Sequence, residues 1–435
     1  MPSTGRTTLI FGAAGLIGRF VTSDLRRRGF RAIGIARRFP AYRQSDDVEL
    51  PVMTMPVEAL AELLRTRQAD VVVNCLGVLQ DGPGSNTSDV HVGFVERLIG
   101  AIRQCGRDVC LIHLSVPGRD DDDRTAFSRT KREAERLIRA SGQRHVILRP
   151  GLVIAPAAFG GSALMRALAS MPFALGDAEA RNPVAPVAIE DVAETIATVV
   201  DDSSVAGEAA TWELMQCEPA TTNDVVGYFR SILDGPKPIV KLPSALLTVG
   251  ARLGDLASRL GWTPPIRSTA LAELRRGVTG DPAAWIAATG ITPRSLADLA
   301  LRPATIQDKW FARLYLIKAL IIVSLVIFWV VSGLIALTVS FGAAATILSS
   351  HGFPRTLVGP ATALSSLMDI SVGMAIAFQR SCKAGLIAGI VVSLGYMFGA
   401  AVLTPDLWLE PLGALVKTFP AIVLMLVALL ILDNR

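Results

Sequence analysis

The sequence is poor in the residues that build metal centres and disulfide frameworks. It contains only four histidines and five cysteines among 435 residues. The cysteines are Cys75, Cys105, Cys110, Cys217 and Cys382. They form neither a CxxC pair nor a spacing typical of metal ligands, as expected of a protein from a reducing compartment. The sequence therefore predicts no disulfide and no metal site.

Charge is missing from much of the C-terminal part. No Asp, Glu, Lys or Arg occurs between Ala319 and Ser350, and a helix needs only about 20 apolar residues to cross a bilayer. Three further apolar segments follow, at Thr356 to Phe378, Ala384 to Leu403 and Pro411 to Leu432. Four such segments in succession favour four membrane spans over the buried helices of a soluble domain.

The distribution of basic residues predicts an orientation, because Lys and Arg are retained on the cytoplasmic side of short membrane loops. Arg302, Lys309, Arg313 and Lys318 precede the first predicted span, and Arg380 and Lys383 lie between the second and third. We therefore expect a multi-pass protein of the inner (cytoplasmic) membrane with both termini cytoplasmic. Because Met1 to Arg6 is polar, no signal peptide is expected. The net charge of +5 is explained by attraction of the protein to anionic lipid head groups. No nucleic acid partner is expected.

A glycine turn stands near the N-terminus. The segment Gly12-Ala-Ala-Gly-Leu-Ile-Gly18 lies between the apolar run Thr8–Phe11 and a stretch with helical spacing. In the order strand, turn and helix, such a turn lets the backbone approach a pyrophosphate at the positive end of the helix. An ordinary tight turn is the alternative. The predicted cofactor contacts here are Gly12, Ala14, Gly15, Leu16, Ile17 and Gly18.

Apolar runs of strand length alternate with helical segments up to about Leu152, which predicts a parallel sheet with helices on both faces. The predicted strands are Thr8–Phe11, Arg31–Ala36, Val52–Met55, Asp70–Cys75, Val109–Leu114 and His145–Leu148. Ligands of such sheets lie at the carboxyl ends of the strands. Candidate site residues are therefore those that follow each strand.

Arg37 and Arg38 follow the second predicted strand. Enzymes that use NAD(H) often carry an acidic residue at this position, which accepts hydrogen bonds from the ribose hydroxyls. Arginine instead matches a 2′-phosphate. NADP(H) is favoured over NAD(H), and two solvated surface arginines are the alternative reading.

Three later strand ends and one helix complete a pattern. They carry Asn74-Cys75-Leu76-Gly77, Ser115, Arg149-Pro150-Gly151 and the helical segment Phe127-Ser-Arg-Thr-Lys131. With the glycine turn, and in this order, they resemble the extended and atypical short-chain dehydrogenase/reductases, which include NAD-dependent epimerase/dehydratase-like proteins. The resemblance covers about residues 7–300, and is greatest to members similar to the complex I accessory subunit and to NmrA-like proteins.

This resemblance implies a Rossmann-type domain that binds NAD(P)(H). It implies further cofactor contacts at Cys75, Leu76, Gly77, Lys131 and Pro150. It also implies catalytic roles for Ser115, which donates to a substrate oxygen or to the cofactor, and for Lys131, which holds the nicotinamide ribose.

One position departs from the pattern of the catalytic members. They carry a Tyr four residues before the Lys, as the acid/base of the reaction, whereas this sequence has Phe127. A phenyl ring has no titratable proton, so a contribution of roughly 10²- to 10⁴-fold is missing. Two functions stay open: an NADP(H)-dependent oxidoreductase acting on a quinone or lipid carbonyl, and an inactive NADP(H)-binding scaffold or redox sensor. Isomerisation or dehydration of a nucleotide-linked sugar or lipid is less favoured, because it also depends on the Tyr.

The C-terminal spans resemble DoxX-like four-helix membrane domains over about residues 310–432. The pairs Gly385/Gly389 and Gly395/Gly399 predict close helix packing, and the spans also permit a homo-oligomer. Asp369 is a charged residue within a span and is expected to face the interior. Its candidate partners are Lys417, Ser365, Ser366 and Ser371. A site for a lipophilic head group, a proton path and a simple packing role all remain open for Asp369.

The expected fold class is α/β, a Rossmann-type doubly wound parallel sheet with a small substrate lobe, followed by an all-α four-helix transmembrane bundle. The expected domains are residues 1–300, with a core at about 7–155 and a substrate lobe at about 156–300, and the membrane domain at 319–432. A basic juxtamembrane linker at 301–318 joins them.

Overall fold

The computed structural model describes residues 5–39, 43–82, 86–218, 220–264, 266–299, 304–409 and 413–432. The chain divides into two compact units. The N-terminal unit comprises Met1–Asp255 and Pro265–Ala312, and the C-terminal unit comprises Leu256–Pro264 and Arg313–Arg435.

Strands occur only in the N-terminal unit among the residues described. They are β1 Thr7–Phe11, β2 Arg31–Ala36, β3 Val48–Glu49, β4 Ala69–Asn74, β5 Cys110–Leu114, β6 His145–Pro150, β7 Leu152–Ile154, β8 Phe173–Leu175, β9 Pro183–Val184, β10 Pro186–Ala188, β11 Ala209–Leu214, β12 Ala220–Thr221 and β13 Val240–Leu242. Seven of these form one parallel sheet in the order β3-β2-β1-β4-β5-β6-β11. The order of addition reverses between β1 and β4, which is where such sheets open a cleft for a ligand.

Helices lie between the strands, and no strand follows β13 in the described part of the chain. They are α1 Leu16–Arg27, α2 Val57–Thr66, α3 Phe94–Gln104, α4 Ala126–Ala140, α5 Gly160–Ala169, α6 Asp177–Ala180, α7 Ile189–Asp201, α8 Thr222–Leu233, α9 Ser244–Arg259, α10 Ser268–Arg276, α11 Ala283–Thr289, α12 Ile306–Leu337, α13 Phe341–Ser350, α14 Arg355–Ala377, α15 Cys382–Leu403 and α16 Ala414–Ile431. A π-helical turn at Asp89–Gly93 leads into α3.

Helices cover both faces of the main sheet. Strand β1 is therefore buried on both sides, which explains why its residues are all apolar or small. Ile10 packs on one face with side chains of α1 and α7. Leu9 and Phe11 pack on the other with side chains of α2, α3 and α4. Successive residues of a strand point to opposite faces, so a strand covered on both sides reads as a continuous buried run. The predicted doubly wound α/β fold is confirmed.

One predicted strand is wrong. Residues 52–54 form a turn in which the Thr54 amide donates to the Pro51 carbonyl at 2.9 Å, and the edge strand is Val48–Glu49 instead. Pro51 has no amide hydrogen and ends the strand before the apolar run begins. Val52 is nevertheless 3% exposed and packs beside α2, so the apolar pattern reported burial, not strand structure.

The described part of the C-terminal unit contains three helices long and apolar enough to cross a membrane, namely α12, α14 and α15. The described part of α16, Leu415–Ile431, is shorter, so a fourth span stays a prediction. The first predicted span is divided, because α12 begins at Ile306 and ends at Leu337 before α13 starts. The Ser340 amide donates to the Ile335 carbonyl at 2.9 Å and closes the end of α12.

Glycines set the close contacts of the C-terminal unit. A Cβ added at Gly385 would lie 2.7 Å from the Ile376 nitrogen, and one at Gly389 would lie 2.7 Å from the Met425 sulfur. The predicted close packing at this pair is confirmed. The prediction for Gly395 and Gly399 is wrong, since an added Cβ at either meets nothing within 4 Å.

The partner of Asp369 is a residue that the sequence did not indicate. The Tyr396 hydroxyl donates to Asp369 Oδ1 at 2.9 Å, joining α15 to α14. The predicted serine partners are wrong, because their hydroxyls donate to carbonyls of α14 itself. These are Ser365 and Ser366 to Thr362 and Ser371 to Leu367. Lys417, the remaining candidate, is exposed.

Candidate nucleotide-binding site

The glycine turn lies at the carboxyl end of β1, against the end of β4. Gly12 has φ of +83°, and an added Cβ would lie 3.1 Å from the Cys75 carbonyl carbon. The amides of Gly12 and Ala13 donate to the Ile35 carbonyl at 2.9 and 3.1 Å. Only glycine combines a left-handed backbone with so close an approach. This close approach therefore places Gly12 beside Cys75, and both residues were predicted to belong to one site.

Helix α1 begins directly after the turn with its first amides free of side-chain caps. Gly15 is the N-cap residue, it makes no side-chain cap, and the first turn carries no acidic residue. The amides of Leu16, Ile17 and Gly18 precede the first residue that can donate within the helix, Arg19, whose amide reaches the Gly15 carbonyl at 2.9 Å. Ala14 is half-buried in the same turn. This helix end offers backbone donors and a positive dipole to an anion.

Arg37 and Arg38 lie exposed after β2, the neighbour of β1 in the sheet. An acidic residue close by, Asp47, is already engaged. Its carboxylate accepts from Arg26 at 2.6 Å and from the Gly34 amide at 3.0 Å. Burial alone would raise the pKa of this carboxyl, but the bond from Arg26 and the amides of Gln44 and Gly34 lower it. The charges of Arg37 and Arg38 are thus not neutralised by Asp47.

Lys131 connects the ends of β4 and β5. It lies on α4, whose first turn is capped by Thr125 Oγ1 accepting from the Ser128 amide at 3.1 Å. Lys131 Nζ donates to the carbonyls of Leu76 at 3.1 Å and Leu114 at 2.7 Å. Burial lowers the pKa of Lys131 to about 8. A Cβ added at Gly77 would lie 3.5 Å from this Nζ, so the glycine leaves room beside the amine.

Phe127 lies one helical turn before Lys131 and contacts His91, a neighbour that the sequence did not reveal. The two rings pack edge to face with centroids 5.7 Å apart. His91 Nε2 accepts from the Val78 amide at 3.1 Å, and Nδ1 lies 2.7 Å from Thr130 Oγ1. Burial, together with the charge of Lys131, lowers the pKa of His91 to about 2. This imidazole is therefore neutral, has both nitrogens engaged, and cannot replace the missing phenol as an acid.

Ser115 follows β5 at the same edge of the sheet. Its amide donates to the Leu148 carbonyl at 2.7 Å, which fixes it beside β6. Its hydroxyl is buried, and a hydrogen bond from it is one of the causes that lower the pKa of Glu135 on α4. In the adjacent strand, Asn74 Nδ2 donates to His113 Nδ1 at 3.1 Å, so His113 is held inside the sheet. Ser115 is thus held between β6, through its amide, and Glu135 of α4, through its hydroxyl.

Arg149 and Pro150 end β6, and the structure gives them different surroundings. Pro150 is buried opposite Leu214 of β11. Arg149 donates to Glu135 at 2.6 Å and to Glu213 at 3.3 Å. The arginine of this stretch therefore ties β6 to α4, and only Pro150 was predicted to contact a cofactor.

The structure brings the predicted residues to one edge of the sheet. The glycine turn, Cys75, Leu76, Gly77, Ser115 and Lys131 lie at the carboxyl ends of β1, β4 and β5. Arg37 and Arg38 follow β2 on one side, and Pro150 ends β6 on the other. This is the edge where a parallel sheet of this order binds its ligand.

Comparisons with known proteins show a similarity for each of the two parts of the chain. Residues 8–209 match the NAD dependent epimerase/dehydratase family, and residues 326–426 match the DoxX-like family. The chain is also 25% identical over 313 residues to the 40 kDa subunit of mitochondrial NADH-ubiquinone oxidoreductase from Neurospora crassa. That alignment covers 70% of this chain and 77% of the subunit.

Solved structures of similar fold include two sugar-nucleotide epimerases. The UDP-glucose 4-epimerase of Thermotoga maritima, with UDP-glucose, has a TM-score of 0.52 and 14% identity over 72% of this chain and 99% of its own. The UDP-glucuronic acid 4-epimerase of Bacillus cereus, in complex with UDP-glucuronic acid and NAD, has a TM-score of 0.51 and 16% identity over 71% and 100%. At such identities the similarity shows the fold alone. The chain therefore combines an N-terminal NAD-dependent epimerase/dehydratase-like domain with a C-terminal DoxX-like membrane domain.

Proposed function

We propose that this membrane protein binds NADP(H) at the carboxyl edge of its sheet and retains the nucleotide without the family's Tyr-dependent turnover. The contact of Phe127 with a neutral, fully hydrogen-bonded His91 carries this proposal. A dinucleotide fits the residues present, since the Gly12 turn and the uncapped end of α1 form a backbone cradle that a Cβ would fill. When bound, NADP(H) supplies hydride chemistry.

Each retained residue has a role in binding. The amides of Leu16, Ile17 and Gly18 are suited to hold the pyrophosphate. Lys131 donates to two carbonyls, and its ammonium has a third proton for a ribose hydroxyl. Arg37 and Arg38 would receive the 2′-phosphate through their guanidinium groups.

We also propose that the site faces the cytoplasm, at the inner membrane. The Leu260 carbonyl, just after α9, accepts from the Gln379 amide at 3.0 Å. Gln379 precedes Arg380 and Lys383 in the loop between α14 and α15. Basic short loops are retained in the cytoplasm. The contact with Gln379 therefore supports a cytoplasmic location for the segment that follows α9.

A second candidate is an oxidoreductase that acts on a lipophilic substrate such as a quinone or lipid carbonyl. Ser115 and Lys131, both retained at this edge of the sheet, favour it. A membrane domain would raise the local concentration of such a substrate. Within that domain, the Tyr396–Asp369 pair leaves carboxylate and phenol oxygens that can accept from a polar head group.

The nucleotide preference is tested by calorimetric titration of the purified full chain with NADPH and NADH. We expect NADPH to bind more tightly, and Arg37→Ala with Arg38→Ala to weaken NADPH by roughly 10- to 100-fold, as for lost bonds to a charged group. NADH binding should change little. Arg31→Ala is the matched control, because Arg31 is exposed at the opposite end of the same strand. Equal loss for both nucleotides would contradict a 2′-phosphate contact.

Restoring the phenol tests the absence of turnover. Phe127→Tyr places a hydroxyl one helical turn from Lys131, so NADPH oxidation by a short-chain quinone or a lipid aldehyde should rise by roughly 10²- to 10⁴-fold. Phe127→Leu is the control, since it changes the ring without adding a proton. Stopped-flow absorbance at the nicotinamide band measures both. Wild-type turnover equal to that of the Tyr variant would favour the second candidate, and absence of NADPH binding would exclude both.

A further inference from the structure

Helix α9 carries four of its five large apolar side chains on the outside, while the fifth, Leu247, is half-buried. Leu246, Val249, Leu253 and Leu256 are between 51% and 60% exposed, and we call them the α9 stripe. Their spacing places them along one face of the helix. The preceding segment continues the apolar surface, with Ile239 85% and Val240 48% exposed.

The fully buried residues of α9 are small. They are Ala251, Gly254 and Ser258. A Cβ added at Gly254 would lie 3.1 Å from the Ile266 carbonyl carbon, so a close backbone contact decides which face points inward. A surface helix in water buries its apolar stripe and exposes polar residues. The arrangement in α9 is the reverse, and it fits a helix whose outer face meets an apolar medium.

The end of α9 lies at the end of a membrane helix. Leu256–Pro264 belongs to the C-terminal unit. In that unit, Trp262 Nε1 donates to the carbonyl of Ala377 at 2.7 Å. Ala377 is the last residue of α14, which is long and apolar enough to cross a bilayer. The stripe is therefore followed along the chain by a segment that is hydrogen-bonded to the end of this apolar helix.

The charges that α9 turns outward are positive. Arg252 and Arg259 are exposed. The acid of this helix, Asp255, is occupied, because it accepts from Arg267 at 3.0 Å and from the Ser268 hydroxyl. Basic residues beside an apolar helix face are attracted to anionic lipid head groups.

We propose that α9 lies in the head-group layer of the bilayer, with the α9 stripe against the acyl chains and its two arginines among lipid phosphates. The helix is then an interfacial anchor additional to the membrane spans. The inference depends on the membrane domain and not on the nucleotide site. Its test is therefore independent of the proposed function.

The test measures the surroundings of the stripe in the full chain, reconstituted in phosphatidylcholine and phosphatidylglycerol vesicles. Nitroxide labels are attached singly at Leu246→Cys, Val249→Cys, Leu253→Cys or Leu256→Cys, with Cys217→Ser removing an exposed native thiol. Burial raises the pKa of the Cys75 thiol to about 12, so the reagent spares it. Glu62→Cys on α2 is the matched control, an exposed helical position with a side chain 63% accessible.

Collisions with oxygen, which partitions into lipid, are compared with collisions with a water-soluble nickel chelate. We expect oxygen to dominate at all four stripe positions and nickel at the Glu62 position. Adding Leu256→Glu should shift the Val249 label toward nickel, while NADPH binding stays unchanged because Leu256 is exposed and is not one of the residues assigned to the nucleotide site. Nickel dominance along the stripe overturns the proposal. Spin–spin broadening between singly labelled copies also overturns it, since a second copy would then cover the stripe.

Discussion

Replacing Gly18 by alanine is expected to weaken NADPH binding by roughly 10- to 100-fold and to destabilise the N-terminal unit by about 1–3 kcal/mol, the usual cost of overpacking. An added Cβ would lie 2.8 Å from the Gly12 carbonyl carbon, 3.0 Å from Ala13 Cα and closer still to the Gly12 oxygen. All three are backbone atoms, which cannot rotate away. Helix α1 must therefore move off the turn and take the amides of its first turn with it.

A matched substitution separates this clash from the general effect of alanine in a helix. Gly227 lies within α8, and an added Cβ there meets nothing within 4 Å. Gly227→Ala should leave NADPH affinity unchanged and raise stability by roughly 0.5–1 kcal/mol, because alanine favours the helix. Calorimetric titration and thermal unfolding of the full chain measure both variants. Wild-type NADPH affinity in Gly18→Ala would place the nucleotide somewhere other than this turn.

The parts of the site that the sequence predicted are those formed by residues close along the chain. The Gly12–Gly18 turn, the end of β4 and the helix that carries Lys131 each follow from a local pattern of strand, turn or helix. Sheet topology then brings them together, because parallel strands present their carboxyl ends on one edge. No distance had to be known for these residues to be named.

The neighbours that decide the chemistry depend on tertiary packing instead. His91 lies far along the chain from Lys131, and its own segment shows only helical spacing, so nothing local points to its contact with Phe127. Tyr396 was equally hidden, because a tyrosine in a span reads as apolar until Asp369 is found beside it. At Val52 a local pattern is misleading instead. The apolar run there predicts a strand, although the edge strand has already ended before Pro51.

Ionic packing around α4 leads to the largest expected loss of stability. Glu135 is fully buried and accepts from Arg132 at 3.0 Å and from Arg149 at 2.6 Å. Burial alone would raise the pKa of this carboxyl, but hydrogen bonds from Arg149 and Ser115 and the charges of Arg149 and Arg132 lower it. Glu135→Gln keeps the shape and removes the charge, leaving both arginines short of an acid. Loss of one partner from a buried pair costs about 3–5 kcal/mol.

Glu133→Gln is the matched control on the same helix. Glu133 pairs with Arg136 at 2.9 Å, but the two side chains are 47% and 57% exposed, and such pairs contribute about 0–1 kcal/mol. Proteolysis of the full chain across a urea series compares both variants with the wild type. The Glu135 contribution is present above the ordinary carboxyl pKa of 4.5 and is lost as pH falls through the lower folded value. The gap between wild type and Glu135→Gln should therefore be full at neutral pH and shrink in acid. A gap that is equally small for both variants at neutral pH would mean that Arg132 and Arg149 are adequately held by Asp123 and Glu213, their other acidic partners.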